Sequence, residues 1–124
     1  MRILLDTSAI IALAQGTEEG IEVQKIISEN SPAYTSALNT YETKHKLFDK
    51  LEPERAKNIF EKILNYAIVL PITIETAIIA SDLKQEKKDF GAVDCNTYAV
   101  AQYNNLILIT LDNDFRGLKD TIIL

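Results

Sequence analysis

The chain has 124 residues, 47% of them hydrophobic and 25% charged, which is the composition of one globular domain and not of a disordered or fibrous protein. No apolar run reaches the ~20 residues of a membrane span, and the start Met1–Asp6 meets an acid too soon for a signal peptide. The single cysteine, Cys95, excludes an internal disulfide. We therefore expect one domain over residues 1–124, in a reducing cytoplasm and with no membrane partner.

The formal net charge of −5 argues at first against a nucleic-acid partner, because such partners are held by basic surfaces. Four acids described below account for most of this charge, and the rest of the chain is nearly neutral. Basic residues also cluster locally, at Lys44–Lys46 and at Lys84–Lys88. The global charge therefore does not decide the partner.

Short apolar runs alternate with helical patterns along the whole chain. In chain order, the first half predicts a strand at Ile3–Leu5, a short helix at Thr7–Leu13, a break between Gly16 and Gly20, a helix at Glu22–Asn30, a strand at Ala33–Ala37 and a helix at Tyr41–Leu51. The second half predicts a helix opened by Pro53, a strand at Ile68–Leu70, a helix at Thr73–Lys84, a charged loop at Lys84–Gly91, a helix at Asp94–Tyr103, a strand at Leu106–Thr110 and an edge strand at Thr121–Leu124. This order is typical of an α/β fold with a mainly parallel sheet covered on both faces, whose ligands bind at the carboxyl ends of the strands.

Four acids, which we call the acid quartet, stand at the ends of these elements: Asp6, Glu42, Asp94 and Asp112. Each has a structural explanation when it is taken alone. Asp6 and Asp94 have the residue type of a helix N-cap, Asn39 and Glu42 have the spacing of a capping box, and Asp112 suits a turn. Taken singly, each acid is more often a cap or turn residue than a ligand.

The quartet as a set indicates a site, because the predicted topology brings all four acids to one edge of the sheet. Two carboxylates within ~4 Å repel each other by about 4 kcal/mol at an effective dielectric constant of ~20, which calls for a counter-ion. Hard oxygen ligands of this kind suit Mg²⁺ or Mn²⁺. His45, one turn after Glu42, is a weaker candidate for a base, and Cys95 reads as a small buried residue.

Four sequence blocks resemble the motifs of the PIN-domain nucleases, and the chain length is similar to that of VapC-type toxins. The blocks are Leu4–Ile10, Thr35–Glu42, Asp94–Ala101 and Leu108–Phe115, which carry the acids in the order of the family. The resemblance implies a three-layer α/β/α sandwich and a ribonuclease activity that depends on Mg²⁺ or Mn²⁺. It also implies an RNA substrate, a separate antitoxin protein as partner, and often a homodimer.

By position, the quartet matches the catalytic and metal-binding acids of that family. Asp6 and Asp94 would be the principal ligands, Asp112 would complete the site directly or through water, and Glu42 would bind a second metal ion or orient the attacking water. Ser8 and Thr110 match polar residues that support the site, and Asp114 matches a more variable acid. Cys95 and Asn96 depart from the commoner family pattern, which leaves the packing of their helix open.

Three alternatives remain at this point. A PIN fold without activity could bind RNA or protein. A receiver-like signalling domain would need an acid pair after its first strand and a late lysine, where this chain has only Asp6 and Thr110. A phosphatase of the haloacid-dehalogenase type would need Asp-x-Asp after the first strand, where this chain has Asp6-Thr7-Ser8.

Overall fold

A computed structural model describes all of residues 1–124, and its strands are separated along the chain by helices. The strands are β1 (Ile3–Leu5), β2 (Ala33–Ser36), β3 (Ala67–Leu70), β4 (Ile107–Thr110) and β5 (Thr121–Ile123). The helices are α1 (Thr7–Gln15), α2 (Glu18–Glu29), α3 (Ala37–Lys50), α4 (Pro53–Tyr66), α5 (Ile74–Glu86) and α6 (Ala92–Tyr103), followed by a short 3₁₀ turn at Asn113–Phe115. None of these helices is both long enough and apolar enough to span a membrane.

The five strands form one sheet in the order β3-β2-β1-β4-β5, and all four strand pairs are parallel. The central strand β1 pairs through Ile3 with Ala33 of β2 and with Ile107 of β4. The predicted α/β/α sandwich is thus confirmed. Receiver domains have a flavodoxin-like strand order, 2-1-3-4-5, so the receiver alternative is wrong.

Successive residues of β1 enter different hydrophobic cores, because side chains alternate between the two faces of a strand. Ile3 and Leu5 belong to the core that packs under α1–α4, whereas Leu4 belongs to the core under α5 and α6. All three side chains are buried. This continuous burial explains why β1 is apolar at every position instead of alternating with polar residues.

The helix α3 begins at Ala37, four residues before the predicted start at Tyr41. Ser36 ends β2 and at once caps α3, since its Oγ accepts a hydrogen bond of 3.1 Å from the backbone N–H of Asn39. The alternative explanation of Glu42 as part of a capping box with Asn39 is therefore excluded. Glu42 lies in the second turn, and its carboxylate is not used for capping.

The helix α6 also begins earlier than predicted, at Ala92, with Gly91 as its N-cap. Gly91 has no side chain to offer the open backbone N–H groups, and no side-chain cap bond is present. The alternative explanation of Asp94 as the N-cap is excluded, because Asp94 lies within the first turn. A carboxylate there is still favoured by the positive end of the helix dipole.

Two further boundaries differ from the prediction. α2 begins at Glu18, capped by Thr17, so Gly20 lies within its first turn and does not mark a break. A Cβ atom on Gly20 would lie 2.0 Å from the carbonyl oxygen of Ala12, so only glycine allows α1 and α2 to pack this closely. α5 continues to Glu86, which shortens the charged loop that was predicted to start at Lys84.

Candidate metal centre

The acid quartet lies at the carboxyl edge of the sheet. Asp6 directly follows β1, and Asp112 follows the adjacent β4 after one intervening residue. Asp94 lies in the first turn of α6, and Glu42 in the second turn of α3. Parallel strands place their carboxyl ends, and the helices that follow them, on the same side, so four segments distant in sequence meet there.

Asp6 is buried, with 5% of its surface exposed, and both of its carboxylate oxygens accept hydrogen bonds. Oδ1 accepts from Ser8 Oγ at 2.6 Å and from the backbone N–H of Ala9 at 3.0 Å, and Oδ2 accepts from Thr110 Oγ1 at 2.6 Å. A carboxylate offers about four lone-pair directions, so roughly one, on Oδ2, is left for another ligand.

Ser8 and Thr110 connect Asp6 to the backbone that carries Asp112. Each hydroxyl donates its single proton to Asp6 and accepts from a backbone N–H, at 2.9 Å from Leu111 to Ser8 and at 3.0 Å from Asp112 to Thr110. The two hydroxyl oxygens lie 3.3 Å apart. The positions of Asp6 and Asp112 are thereby linked through two side chains.

The pKa of Asp6 is raised above its ordinary value of 3.8. Burial away from water is the main cause, because it disfavours the charged form. The hydrogen bonds from Ser8, Thr110 and Ala9 oppose this rise, and the negative charge of Asp112 adds to it. Asp6 is therefore a buried acid whose charge calls for a positive partner.

The pKa of Asp94 is raised from 3.8 to about 6. Burial is the largest cause, followed by repulsion from four other carboxylates, in decreasing order Asp112, Glu42, Asp6 and Asp114. All other members of the quartet thus contribute to the potential at Asp94. The acids therefore lie in one region of the sheet edge, and the negative charges of the others act together to disfavour the ionised form of Asp94.

The acids share this edge of the sheet without forming a closed set of ligands. No three histidine, cysteine, aspartate or glutamate side chains lie close enough together to hold a metal ion in this conformation. Glu42 instead pairs with Lys46, with 3.9 Å between Oε1 and Nζ, and Asp112 Oδ1 accepts from the backbone N–H of Asp114 at 2.9 Å. Mutual repulsion favours such separated arrangements in the absence of a cation.

The chemistry of the donor set nevertheless fits Mg²⁺ or Mn²⁺. The region offers only carboxylate and hydroxyl oxygens, since His45 pairs with Asp49 on the exposed face of α3 and Cys95 is buried beside α5. Hard divalent cations prefer oxygen ligands and keep several waters, so they need few direct protein contacts. Asp6 keeps about one unused lone pair, and Asp94, Asp112 and Glu42 would supply further carboxylate oxygens at the same edge of the sheet.

Asn39 is a part of this region whose role the sequence analysis missed. It is buried, its Oδ1 lies 2.6 Å from Ser36 Oγ and 3.1 Å from Thr97 Oγ1, and its Nδ2 donates to Thr7 Oγ1 at 3.1 Å. It therefore ties together the starts of the three helices that present the acids, α1, α3 and α6. A serine at the end of a strand, three residues before an asparagine, is the signal that could have revealed it.

Comparison with known proteins places this geometry in a family. The PIN domain model matches residues 3–120, so the chain belongs to the PIN-domain family. The family resemblance seen in the sequence blocks is thereby confirmed. No curated protein matches the chain in sequence.

Solved structures with the same fold include toxin–antitoxin assemblies. A toxin–antitoxin complex from Klebsiella pneumoniae shares 23% identity at a TM-score of 0.80, over 97% of this chain and 95% of that chain. VapBC2 from Rickettsia felis, bound to a DNA fragment from its promoter, shares 15% identity at a TM-score of 0.82, over 100% of this chain and 98% of that chain. VapC20 from Mycobacterium tuberculosis, described as a Sarcin-Ricin loop cleaving toxin, shares 20% identity at a TM-score of 0.73, over 94% of this chain and 95% of that chain. At these identities the similarity shows a common fold.

Proposed function

We propose that this PIN-domain protein is a ribonuclease that hydrolyses RNA phosphodiester bonds with Mg²⁺ or Mn²⁺. The observation that carries the proposal is the placement of four acids at the carboxyl edge of the sheet, where burial and the charges of the other three raise the pKa of Asp94 to about 6. Groups with strongly perturbed pKa values in one cluster are characteristic of functional sites. A concentration of negative charge in which Asp6 is buried and the other three acids are half-buried is also what a divalent cation would neutralise.

Each acid has a distinct role in this proposal. Asp6 and Asp94 are the principal ligands, Asp112 completes the site directly or through water, and Glu42 holds a second metal ion or orients the attacking water. When bound, the metal lowers the pKa of water and neutralises charge that develops on the phosphate. Ser8 and Thr110 fix the orientation of the Asp6 carboxylate through their hydrogen bonds of 2.6 Å.

We further propose that the protein is the toxin of a toxin–antitoxin pair, that it acts in the cytoplasm, and that it forms a homodimer. Support comes from solved relatives, several of which are complexes of toxin and antitoxin. The choice of RNA as substrate follows the resemblance to the PIN-domain nucleases, and VapC20 is described as a Sarcin-Ricin loop cleaving toxin. No residue of the centre itself distinguishes RNA from DNA.

The proposal predicts that Asp94→Asn abolishes cleavage. The change keeps the shape of the side chain but removes its charge. The fold should therefore be preserved, whereas the side chain should no longer bind the metal ion. We expect a loss of more than about 100-fold in kcat/KM with Mn²⁺, beyond the ~10–100-fold cost of altering residues that only surround a metal ligand. The measurement is cleavage of a labelled single-stranded RNA pool, with Asp82→Asn, an exposed acid on α5, as the matched control.

Equal cleavage by wild type and Asp94→Asn would overturn the assignment of the centre. If wild type binds RNA but does not cleave it with either Mg²⁺ or Mn²⁺, the chain is the silent binding module instead.

A further inference from the structure

Two aromatic rings lie parallel on the solvent face of α3. The rings of Tyr41 and His45 have centroids 6.3 Å apart and planes that differ by 7°. Tyr41 is 64% exposed, and the His45 side chain is 62% exposed. Neither residue belongs to either hydrophobic core, so the packing of the fold does not account for this pair.

The pair lies beside the acid centre. Tyr41 immediately precedes Glu42, and His45 follows it by three residues, which places His45 about 60° around the helix from Glu42 and about 4.5 Å along the axis. Glu42 in turn lies near enough to Asp94 for its charge to raise the pKa of Asp94. Both rings therefore lie within about one helical turn of Glu42, a carboxylate of the acid centre.

The charges on this helix suit a polyanion, although the whole chain is acidic. α3 carries three lysines against two acids. Lys44 lies over the ring of Phe48, with Nζ 5.7 Å from its centroid, and Lys46 lies 3.9 Å from Glu42. His45 is oriented by Asp49, with 3.5 Å between Nε2 and Oδ2. Exposed aromatic rings between basic side chains are the combination that binds single-stranded nucleic acid, in which bases stack and phosphates are neutralised.

We propose that Tyr41 and His45 form a stacking platform for one nucleobase of the single-stranded RNA, close to the bond that is cut. This inference rests on the proposed ribonuclease function and adds a binding residue to it. Bases that are paired inside a duplex cannot reach such a platform, so the platform selects single-stranded loops and ends. Tyr41 supplies the larger free ring, and the pair with Asp49 keeps the imidazole parallel to it.

The test is a cycle that combines a protein variant with an altered substrate. Removing one stacked base costs about 5- to 100-fold in affinity, so we expect Tyr41→Ala to raise KM by that factor with little change in kcat. Tyr41→Phe keeps the ring and should stay within about 2-fold of wild type, because stacking does not need the hydroxyl. Tyr103→Ala is the matched control, since Tyr103 is 50% exposed at the far end of α6.

Substrates with a single abasic nucleotide, placed at each position in turn, locate the partner base. One position should raise the KM of wild type as much as Tyr41→Ala does, and the two changes together should cost no more than one alone. A residue that only supports the fold would not show this loss of additivity.

The outcomes separate the two proposals. If wild type cleaves no RNA, the ribonuclease function is overturned, and the platform with it. If wild type cleaves and Tyr41→Ala behaves like Tyr103→Ala, only the platform is overturned. A dimer of wild type that dissociates in Tyr41→Ala, seen by light scattering, would show that a second copy covers this face, and would also overturn the platform.

Discussion

The carboxylate of Asp6 serves two purposes at once. Its Oδ1 caps α1 through the backbone N–H of Ala9, and its Oδ2, which accepts only one hydrogen bond, keeps a lone pair for another ligand. The capping interpretation and the metal interpretation of this residue are therefore compatible. An N-cap is worth about 1 kcal/mol, which helps the fold to tolerate a buried acid at this position.

The acid cluster should make the metal-free protein less stable as pH rises through the range of carboxylate titration. The pKa of Asp94 is about 6 in the folded chain against 3.8 for an unperturbed aspartate, so the folded state binds its proton more tightly. Its contribution to the free energy of unfolding is full below pH 3.8, falls up to about pH 6, and is lost above that. The raised pKa of Asp6 acts in the same direction. The measurement is urea denaturation in EDTA across this range.

Asp94→Asn should flatten this pH dependence and make the metal-free protein more stable than wild type above pH 6. The exposed-acid variant Asp82→Asn should follow the wild-type curve. The free energy of unfolding of wild type minus that of Asp94→Asn should fall between pH 4 and pH 6. A difference that stays level or rises over this range would contradict the electrostatic description of the centre.

At the scale of elements, the starts of α3 and α6 decide what the acids can do. The periodicity of apolar residues located both helices but not their first residues. For α3 the reason is that Ser36 is both the last residue of β2 and the N-cap of the helix. Asp94 looked like a cap only because the glycine cap before it has no side chain to recognise. Both corrections release carboxylates from capping and leave them available to a cation.

Asn39 should matter for stability more than any exposed asparagine. Asn39→Ala removes the bonds to Ser36, Thr7 and Thr97 inside a buried region, and an unsatisfied buried polar group costs about 1–3 kcal/mol. We expect a loss of about 2–3 kcal/mol in the free energy of unfolding, measured by urea denaturation. Asn58→Ala, at an exposed position of α4, should cost less than about 0.5 kcal/mol. Similar losses in both variants would contradict the role given to Asn39.

At the scale of the whole molecule, the sheet order explains why distant segments form one centre. β1 and β4 are neighbours although about a hundred residues separate them, so Asp6 and Asp112 follow adjacent strand ends. The strand pattern predicted the parallel sheet, and the structure places the four acids at its carboxyl edge. Distances could not be predicted, because they depend on side-chain pairs such as Glu42 with Lys46, which periodicity does not determine. The position of Tyr41 outside both cores was equally invisible without the packing.

Binding of a divalent cation by the acid quartet can be measured by calorimetric titration with Mn²⁺ above pH 6, where Asp94 is ionised. Wild type should show saturable binding, which also raises its melting temperature by mass action. Asp82→Asn should bind like wild type, and Asp94→Asn should lose more than about 100-fold in affinity, beyond the ~10–100-fold cost of altering residues that only surround a metal ligand. Equal Mn²⁺ affinity in wild type and Asp94→Asn, or no binding to wild type, would contradict the account.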